Sequence, residues 1–196
     1  MNANILLNSL IHSSANACLQ RYLLTNDITL AQDLKEQDQS SYGTDMSIVM
    51  FWGTLGLMTL KIHFNIEDAI RLMSKIQKLP LAEIDPKLAR NFINELSNVQ
   101  AGYLKGFLEK TSIFTHTSLP FLADGNDEVI FREIRDLRVD FDITKISVEG
   151  MVLTFTSEVC LLEPDLVLHK TEEFERETRA NLLAQNLKQI GKVNFL

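Results

Sequence analysis

Apolar residues recur at helical spacing in three parts of this chain. The first lies near the N-terminus and contains Leu6, Leu10, Ala17 and Leu24. The second runs from Ile66 to Leu79 and should end there, because Pro80 has no backbone N–H with which to continue a helix. The third begins at Asp85 and Pro86, which suit the N-cap and the first helical position, and continues to about Lys110. We therefore predict three helices, of which the third is the longest.

Strand-like patterns occupy much of the remaining chain. Apolar and polar residues alternate from Met46, and Gly53 and Gly56 interrupt them before an apolar stretch that ends at Phe64, which predicts a β-hairpin. Later segments with strand composition are Ile113 to Leu122, Glu128 to Ile143 and Ser147 to Leu162, with a turn at 124–126. Within the second, Leu137, Val139, Phe141 and Ile143 alternate with charged residues, which predicts one buried face. We predict that these three strands form an antiparallel meander.

The order of these elements predicts an α+β fold, in which an antiparallel β-meander sheet is packed by helices. One domain should span residues 1–170, with a helical or loose connector at 31–41. Residues 171–196 should form a C-terminal helical appendage with an apolar stripe of Phe174, Leu182, Leu183 and Leu187. That stripe suits docking on the domain or on a second copy of the chain. The sequence shows no internal repeat.

Composition excludes several classes of protein. The chain has 196 residues, of which 45% are hydrophobic, as in globular proteins. Its 19 basic and 26 acidic residues give a net charge of −7, so we expect no nucleic acid and no membrane as a partner. The longest apolar stretch, Ile48 to Met58, is interrupted and falls short of the roughly 20 residues that span a bilayer. Cys18 and Cys160 lie far apart, and the N-terminus lacks signal-peptide features, which predicts reduced thiols and a cytoplasmic protein.

Common catalytic motifs are missing from the sequence. The four histidines have no second ligand at metal-binding spacing, and there is no Gly-x-Ser-x-Gly, P-loop or dinucleotide motif. The run from Gly53 to Gly56 is too short and apolar to hold a phosphate, and a hairpin turn explains it better. We therefore expect no metal site and no cofactor of the protein's own.

The helix that begins at Pro86 carries the most informative pattern. At about 100° per residue, one side presents an apolar stripe that should pack on the sheet, made of Ala89, Phe92, Leu96, Val99, Tyr103 and Phe107. The opposite side groups Asn91, Glu95, Asn98 and Gly102, with Asn94, Lys87 and Lys105 beside them and Gly106 at the edge of the stripe. Asn is a mediocre helix former, and each interior Gly costs roughly 1 kcal/mol relative to Ala. Stability alone does not explain this face.

Two interpretations of the polar face follow from the spacing. In the first it is a solvated surface whose glycines lie near a neighbouring helix. In the second, small residues let the backbone of a partner approach, while Glu95 and Asn98, three residues apart, point side by side into that partner. The spacing alone leaves both open.

A resemblance to a known family bears on this choice. The run Asn94 to Gly102, Asn-Glu-Leu-Ser-Asn-Val-Gln-Ala-Gly, resembles the Glu-x-x-Asn-x-x-x-Gly helix motif of the CheC/CheX/FliY phosphatases, which dephosphorylate chemotaxis-type response regulators. The Gly53-x-x-Gly56 hairpin and the helix around Asn8 to Leu19 are also similar to family elements, so that the resemblance covers roughly residues 8–164. The opening helix has no second Glu-x-x-Asn, which makes the chain similar to the single-site CheX type. The connector at 31–41 and the tail after residue 171 lie outside the family pattern.

The resemblance implies a CheX-like fold and a phosphatase of the aspartyl phosphate in a receiver domain, within chemotaxis or related two-component signalling. It implies that Glu95 pairs with a lysine of the receiver and that Asn98 positions the attacking water. Residues that would contact the receiver are Asn91, Asn94, Gly102, Lys105 and Lys87. Mg2+ would be supplied by the bound receiver, and a homodimer is implied as a possible assembly. An Asn suits this task because its carbonyl oxygen can accept a hydrogen bond from water while its amide donates elsewhere.

Two other functions remain open at this point. The chain can be a non-catalytic adaptor that binds a receiver through the same helix, or the resemblance can mark the fold alone, since fold does not determine function. By the resemblance, the receiver pocket is acidic, and the net charge of −7 would not attract it. Local attraction would then have to come from Lys87 and Lys105, which flank Asn98.

Overall fold

A computed structural model describes residues 3–23, 28–31, 42–54, 56–124, 140–148, 151–163, 165–173 and 176. Its helices are α1 (Ala3–Leu23), α2 (Ile66–Gln77), α3 (Pro86–Lys110) and α4 (165–173), with a 3₁₀ turn at Leu81–Glu83. Its strands are β1 (Ile28–Ala31), β2 (Asp45–Gly53), β3 (Gly56–Phe64), β4 (Thr115–Thr117), β5 (Phe121–Asp124), β6 (Asp140–Val148) and β7 (Met151–Leu161). The three predicted helices and the predicted hairpin are confirmed, whereas β1 was not predicted.

The strands form one antiparallel sheet in the order β1-β6-β7-β3-β2-β4, with β5 also paired to β2. The α+β class and the antiparallel sheet are therefore confirmed. The last three strand segments are not consecutive neighbours, however, because β4 and β5 pair with β2 while β6 and β7 pair with each other. Alternation along a strand indicates which side chains share a face, but it does not identify the neighbouring strand. The predicted segment Ile113–Leu122 is divided between β4 and β5.

The strand order repeats one unit. Helix α1 precedes the β2–β3 hairpin with β1 inserted between them, and α3 precedes the β6–β7 hairpin with β4 and β5 inserted between them. The second strands of the two hairpins, β3 and β7, pair antiparallel at the centre of the sheet. The chain thus repeats a helix and a hairpin, although its sequence shows no repeat.

Helices α1, α2 and α3 pack on one face of the sheet, and their apolar residues share a core with β3, β6 and β7. In β6 this face carries Ile146 and Val148, which are buried, whereas Ile143 lies on the opposite face and is half-buried. The prediction that Ile143 lies on the face that packs against the helices is therefore wrong. Leu137 and Val139, which belong to the same predicted face, lie outside the described residues. The physical reason is that the opposite face is itself largely buried, so polarity does not distinguish the two faces of β6.

Helix α4, which follows β7, spans the predicted domain boundary at residue 170. Val167 packs in the core beside Val159, and Thr171 is buried with its hydroxyl donating to Val167 O at 2.7 Å. Most of the predicted appendage and most of the predicted connector at 31–41 lie outside the described residues, so the domain division stays a prediction. Among the helices that the structure describes, none has the length and apolar character needed to cross a membrane.

The face of the sheet opposite the helices contains buried polar side chains. Lys61 is 1% exposed and forms an ion pair with Glu158 at 3.0 Å. His63 shares a hydrogen bond of 2.9 Å with the Thr156 hydroxyl, and the centroids of the His63 and Tyr42 rings lie 4.8 Å apart. Burial, followed by the charge of Lys61, lowers the pKa of His63 to about 4. His63 is therefore neutral in the folded protein at neutral pH.

The free energy of unfolding should fall in weak acid because of His63. Its pKa is lower in the folded chain than the 6.5 of an unperturbed histidine, so the unfolded chain binds the proton first as the pH falls. The contribution of His63 to the free energy of unfolding is fully present well above pH 6.5. About 2 kcal/mol of the free energy of unfolding should be lost as the pH falls through 6.5 to 5. Urea unfolding at several pH values measures this loss, and His63→Gln should flatten the curve over that range. Parallel curves for the two proteins would contradict the prediction.

Candidate functional site

Helix α3 is firmly embedded in the domain. The Asp85 side chain caps it by accepting from Lys87 N at 2.9 Å, and Ile93 and Leu96 are 0% exposed. Its buried side is turned from the predicted stripe, since it also includes Ser97, Gln100, Ala101 and Leu104. Small and flexible side chains can lie against a sheet as well as large apolar ones can, so a stripe chosen from apolar residues alone does not predict this buried side. Of the predicted stripe, Phe92 and Val99 are half-buried, and Tyr103 is 42% exposed rather than packed on the sheet.

The opposite side of α3 is open to solvent. Its exposed members are Lys87, Asn91, Glu95, Asn98 and Gly102, while Asn94 and Lys105 are half-buried. Residues three apart on a helix have Cβ atoms about 5–6 Å apart, so the Glu95 and Asn98 side chains project from adjacent positions. The structure thus brings the carboxylate and the amide together on one rigid surface.

The C-terminal part of α1 borders this surface, a neighbour that sequence reasoning missed. The Tyr22 and Phe92 rings meet edge to face at 5.5 Å. Burial and then the nearby Glu95 carboxylate raise the pKa of the Tyr22 hydroxyl, which places Glu95 on the α1 side of α3. The Cys18 thiol donates to Leu96 O at 3.2 Å, and burial raises the pKa of Cys18 to about 12, so this thiol is unreactive at neutral pH. An aromatic residue at helical spacing near the end of α1 was the only sequence signal for this contact.

The glycines of the chain fall into two groups. Gly53 and Gly56 in the hairpin have φ angles of 149° and 117°, and a Cβ at Gly56 would lie 2.1 Å from Cys160 O. Internal packing therefore requires them, and the predicted hairpin turn is confirmed. Among the described residues, a Cβ at Gly102 or at Gly106 in α3 would meet nothing within 4 Å. The described part of the chain therefore gives no packing reason for these two helical glycines, and no neighbouring helix within it lies against them at that distance.

Asn94 differs from the other polar residues of α3. Its Oδ1 accepts a hydrogen bond from the Ser47 hydroxyl in β2 at 2.6 Å. One turn earlier, Arg90 Nε donates to Asp45 Oδ1, also in β2, at 2.8 Å. Asn94 is therefore engaged within the domain, between the exposed face and the sheet.

The charged side chains on the exposed face of α3 form only weak ion pairs within the part of the chain that the structure describes. Lys105 Nζ lies 3.8 Å from Glu109 Oε1, and because the two side chains are 38% and 51% exposed to solvent this pair contributes little to stability. Among the described residues, no three His, Cys, Asp or Glu side chains are placed to hold a metal ion. The face can offer a carboxylate to a cation and an amide to a water or a polar group of a partner. It is suited to positioning rather than to covalent chemistry.

Solved structures with the same fold come from chemotaxis proteins. The CheX–CheY–BeF3–Mg2+ complex from Borrelia burgdorferi contains a chain that is 17% identical and has a TM-score of 0.58, covering 77% of this chain and 95% of that one. A chemotactic CheC-like protein from Shewanella oneidensis is 14% identical, with a TM-score of 0.59 and coverage of 80% and 98%. FliY from Thermotoga maritima is 16% identical, with a TM-score of 0.55 and coverage of 87% and 92%.

These similarities concern three-dimensional structure. No protein-family model and no curated protein matches the sequence. The three similar structures each align over more than nine tenths of their own length. The chain therefore has the fold of the CheC/CheX/FliY proteins, as its motifs implied.

Proposed function

We propose that the chain is a phosphatase of the aspartyl phosphate in a response-regulator receiver domain, with α3 as its docking and catalytic helix. The observation that carries the proposal is the open surface of α3, where Glu95 and Asn98 project beside Gly102 and Gly106, two glycines that no contact with the described residues requires. Glycines that cost the helix stability without such a contact are explained by a partner that must come close. The CheX structure solved with CheY supplies the class of partner.

In this proposal the two polar side chains have different tasks. Glu95 pairs with a lysine of the receiver and fixes the register of docking, an ion pair that gains specificity once the interface excludes water. Asn98 then holds a water in line with the bond to phosphorus, accepting a hydrogen bond from it through the side-chain oxygen. The amide does not act as a general base. The metal ion beside the phosphoryl group comes with the receiver, so the chain contributes position and orientation.

The surroundings of α3 favour a docking role for Glu95 and a water-positioning role for Asn98. Buried residues on the opposite side hold the helix against the sheet, and Tyr22 borders Glu95 from α1. Phosphoryl transfer depends mostly on positioning and electrostatics, and a hundredfold acceleration requires only about 2.7 kcal/mol. One or two well-placed hydrogen bonds from a rigid helix can supply that amount. Lys87 and Lys105 add local positive charge on the docking face of a chain whose net charge is −7.

The test uses receiver domains phosphorylated with a small phosphodonor. Loss of the phosphoryl group is followed with and without the purified protein, and binding is measured separately under the same conditions. We expect at least one receiver to lose its phosphoryl group faster when the protein is present. Stable binding without any acceleration would favour the adaptor over the phosphatase. Neither binding nor acceleration with any receiver would contradict both.

A further inference from the structure

Two polar contacts connect β2 to α3 next to the proposed site. The Ser47 hydroxyl donates to Asn94 Oδ1 at 2.6 Å, and Arg90 Nε donates to Asp45 Oδ1 at 2.8 Å. Ser47 is 0% exposed, so its hydroxyl is held in a dry environment where an unpaired polar group would be costly. Asp45 is fixed on its other side, because its Oδ2 accepts from the Thr44 hydroxyl at 2.9 Å. We call these the β2–α3 contacts.

The β2–α3 contacts match the repeat of the helix to that of the strand. Asp45 and Ser47 are two residues apart in β2, a spacing of about 6.8 Å along a strand. Arg90 and Asn94 are four residues apart in α3, which is about 6.0 Å along a helix. Both contacts can therefore form at once without strain, and two points of attachment along the axis oppose rotation of α3 about that axis.

Asn98 lies one further turn along the same side of α3. Residues 90, 94 and 98 follow one another at intervals of four, so each side chain leaves the helix about 40° around the axis from the one before it. The first two contact β2, whereas Asn98 is exposed. The Ser47–Asn94 hydrogen bond thus fixes the helix about 6 Å from the residue proposed to hold the water, and directly before Glu95.

We propose that Ser47 and Asn94 are positioning residues that fix the rotation of α3 and thereby aim Asn98. The proposal rests on the phosphatase function proposed above, and it gives Asn94 a role inside the domain in addition to any contact with a receiver. Side-chain ends lie about 5–6 Å from the axis of a helix, so a rotation of about 10° moves the Asn98 amide by about 1 Å. A misplacement of that size can reduce the rate of a positioned reaction by about a hundredfold.

The first experiment measures orientation without any receiver. Nitroxide labels are attached after Asn98→Cys on α3 and Val152→Cys on β7, both at exposed positions, in a chain whose own Cys18 and Cys160 are buried. The distance distribution between the labels is recorded by double electron–electron resonance. Asn94→Leu, which removes the acceptor, should shift or broaden this distribution. Ser97→Ala is the matched control, because the Ser97 hydroxyl donates only to Ile93 O within α3 and not to the sheet.

The second experiment measures dephosphorylation of a receiver. We expect Asn94→Leu and Ser47→Ala to lower kcat at least tenfold while KM changes less than threefold. Asn94→Asp keeps an oxygen acceptor for Ser47 and should recover most of the lost kcat. Asn94→Leu leaves the buried Ser47 hydroxyl without its acceptor and should therefore lower Tm, so kcat is measured at a temperature at which every variant is folded. Ser47→Ala removes the buried hydroxyl itself and should lower Tm less, so a loss of kcat in that variant separates the aiming of Asn98 from a general loss of stability.

The outcomes distinguish this proposal from the proposed function. An unchanged label distance in Asn94→Leu, or an unchanged kcat in both variants of an active protein, would overturn the positioning role. A wild-type protein that accelerates no receiver, together with a shifted label distance, would overturn the phosphatase function and leave the β2–α3 contacts as the determinant of helix rotation. A fall in kcat that Ser97→Ala reproduces would also count against the proposal.

Discussion

Asn98→Ala is expected to lower the rate of receiver dephosphorylation about a hundredfold while leaving the affinity for the phosphorylated receiver within about threefold. Asn98 is exposed on a helix whose other side is buried, so truncating its side chain removes an orienting group without disturbing the core. A loss of this size corresponds to about 2.7 kcal/mol, which one or two hydrogen bonds to a bound water can account for. Single-turnover kinetics with excess protein measures the rate directly.

Glu95→Ala provides the complementary result. We expect it to weaken docking and raise KM, because the proposed ion pair with a receiver lysine sets the register of the complex. Glu67→Ala, which removes an exposed carboxylate from α2 rather than from α3, is the matched control for loss of a surface glutamate. If Asn98→Ala dephosphorylates its receiver as fast as the wild type does, the assignment of Asn98 is wrong.

Substitutions at Gly102 are expected to move stability and binding in opposite directions. A Cβ at Gly102 meets no described residue within 4 Å, and Ala is about 1 kcal/mol more favourable than Gly inside a helix. Gly102→Ala should therefore raise the free energy of unfolding by up to about 1 kcal/mol. Gly102→Leu should also fold at least as well as the wild type, yet its side chain would occupy the space that a docked receiver needs. We expect it to weaken receiver binding about a hundredfold or more, through steric exclusion.

The two measurements are denaturant unfolding and the Kd for a phosphorylated receiver. Gln77→Leu at the end of α2 is the control, since it adds an exposed leucine to a helix other than α3. It should leave the receiver Kd unchanged. A Gly102→Leu protein that binds receivers as tightly as the wild type would show that the open surface of α3 is not the docking face.

Local patterns in the sequence were sufficient to predict most of the elements. Asp85 and Pro86 mark the start of α3 because a capping carboxylate and a fixed φ favour that position, and the structure confirms the cap. Gly53 and Gly56 mark the hairpin because their φ angles suit Gly. The pairing of β4 and β5 with β2 was not predictable in this way, because it depends on where α3 returns the chain to the sheet.

The site was predictable as a set of residues but not as an arrangement. Helical periodicity at 100° per residue predicts that Glu95, Asn98 and Gly102 share one face of a helix, because that spacing alone determines which side chains are neighbours. Periodicity does not predict that Tyr22 lies near Glu95 or that the Ser47 hydroxyl donates to Asn94, since those residues are far apart in the sequence. It also assigns Tyr103 to the buried stripe, because apolar character alone does not determine which side of a helix meets the sheet.

The central position of β7 has a consequence for how the protein is made. Lys61 in β3 and Glu158 in β7 are partners although they lie 97 positions apart in the sequence, so the pairing of β3 with β7 is non-local and can form only after most of the chain is available. Until β7 has left the ribosome, β3 and β6 each lack their partner at this position and expose an unpaired edge that can join another chain. The nascent protein is therefore expected to need protection from aggregation until synthesis has passed β7, even though α3 emerges much earlier.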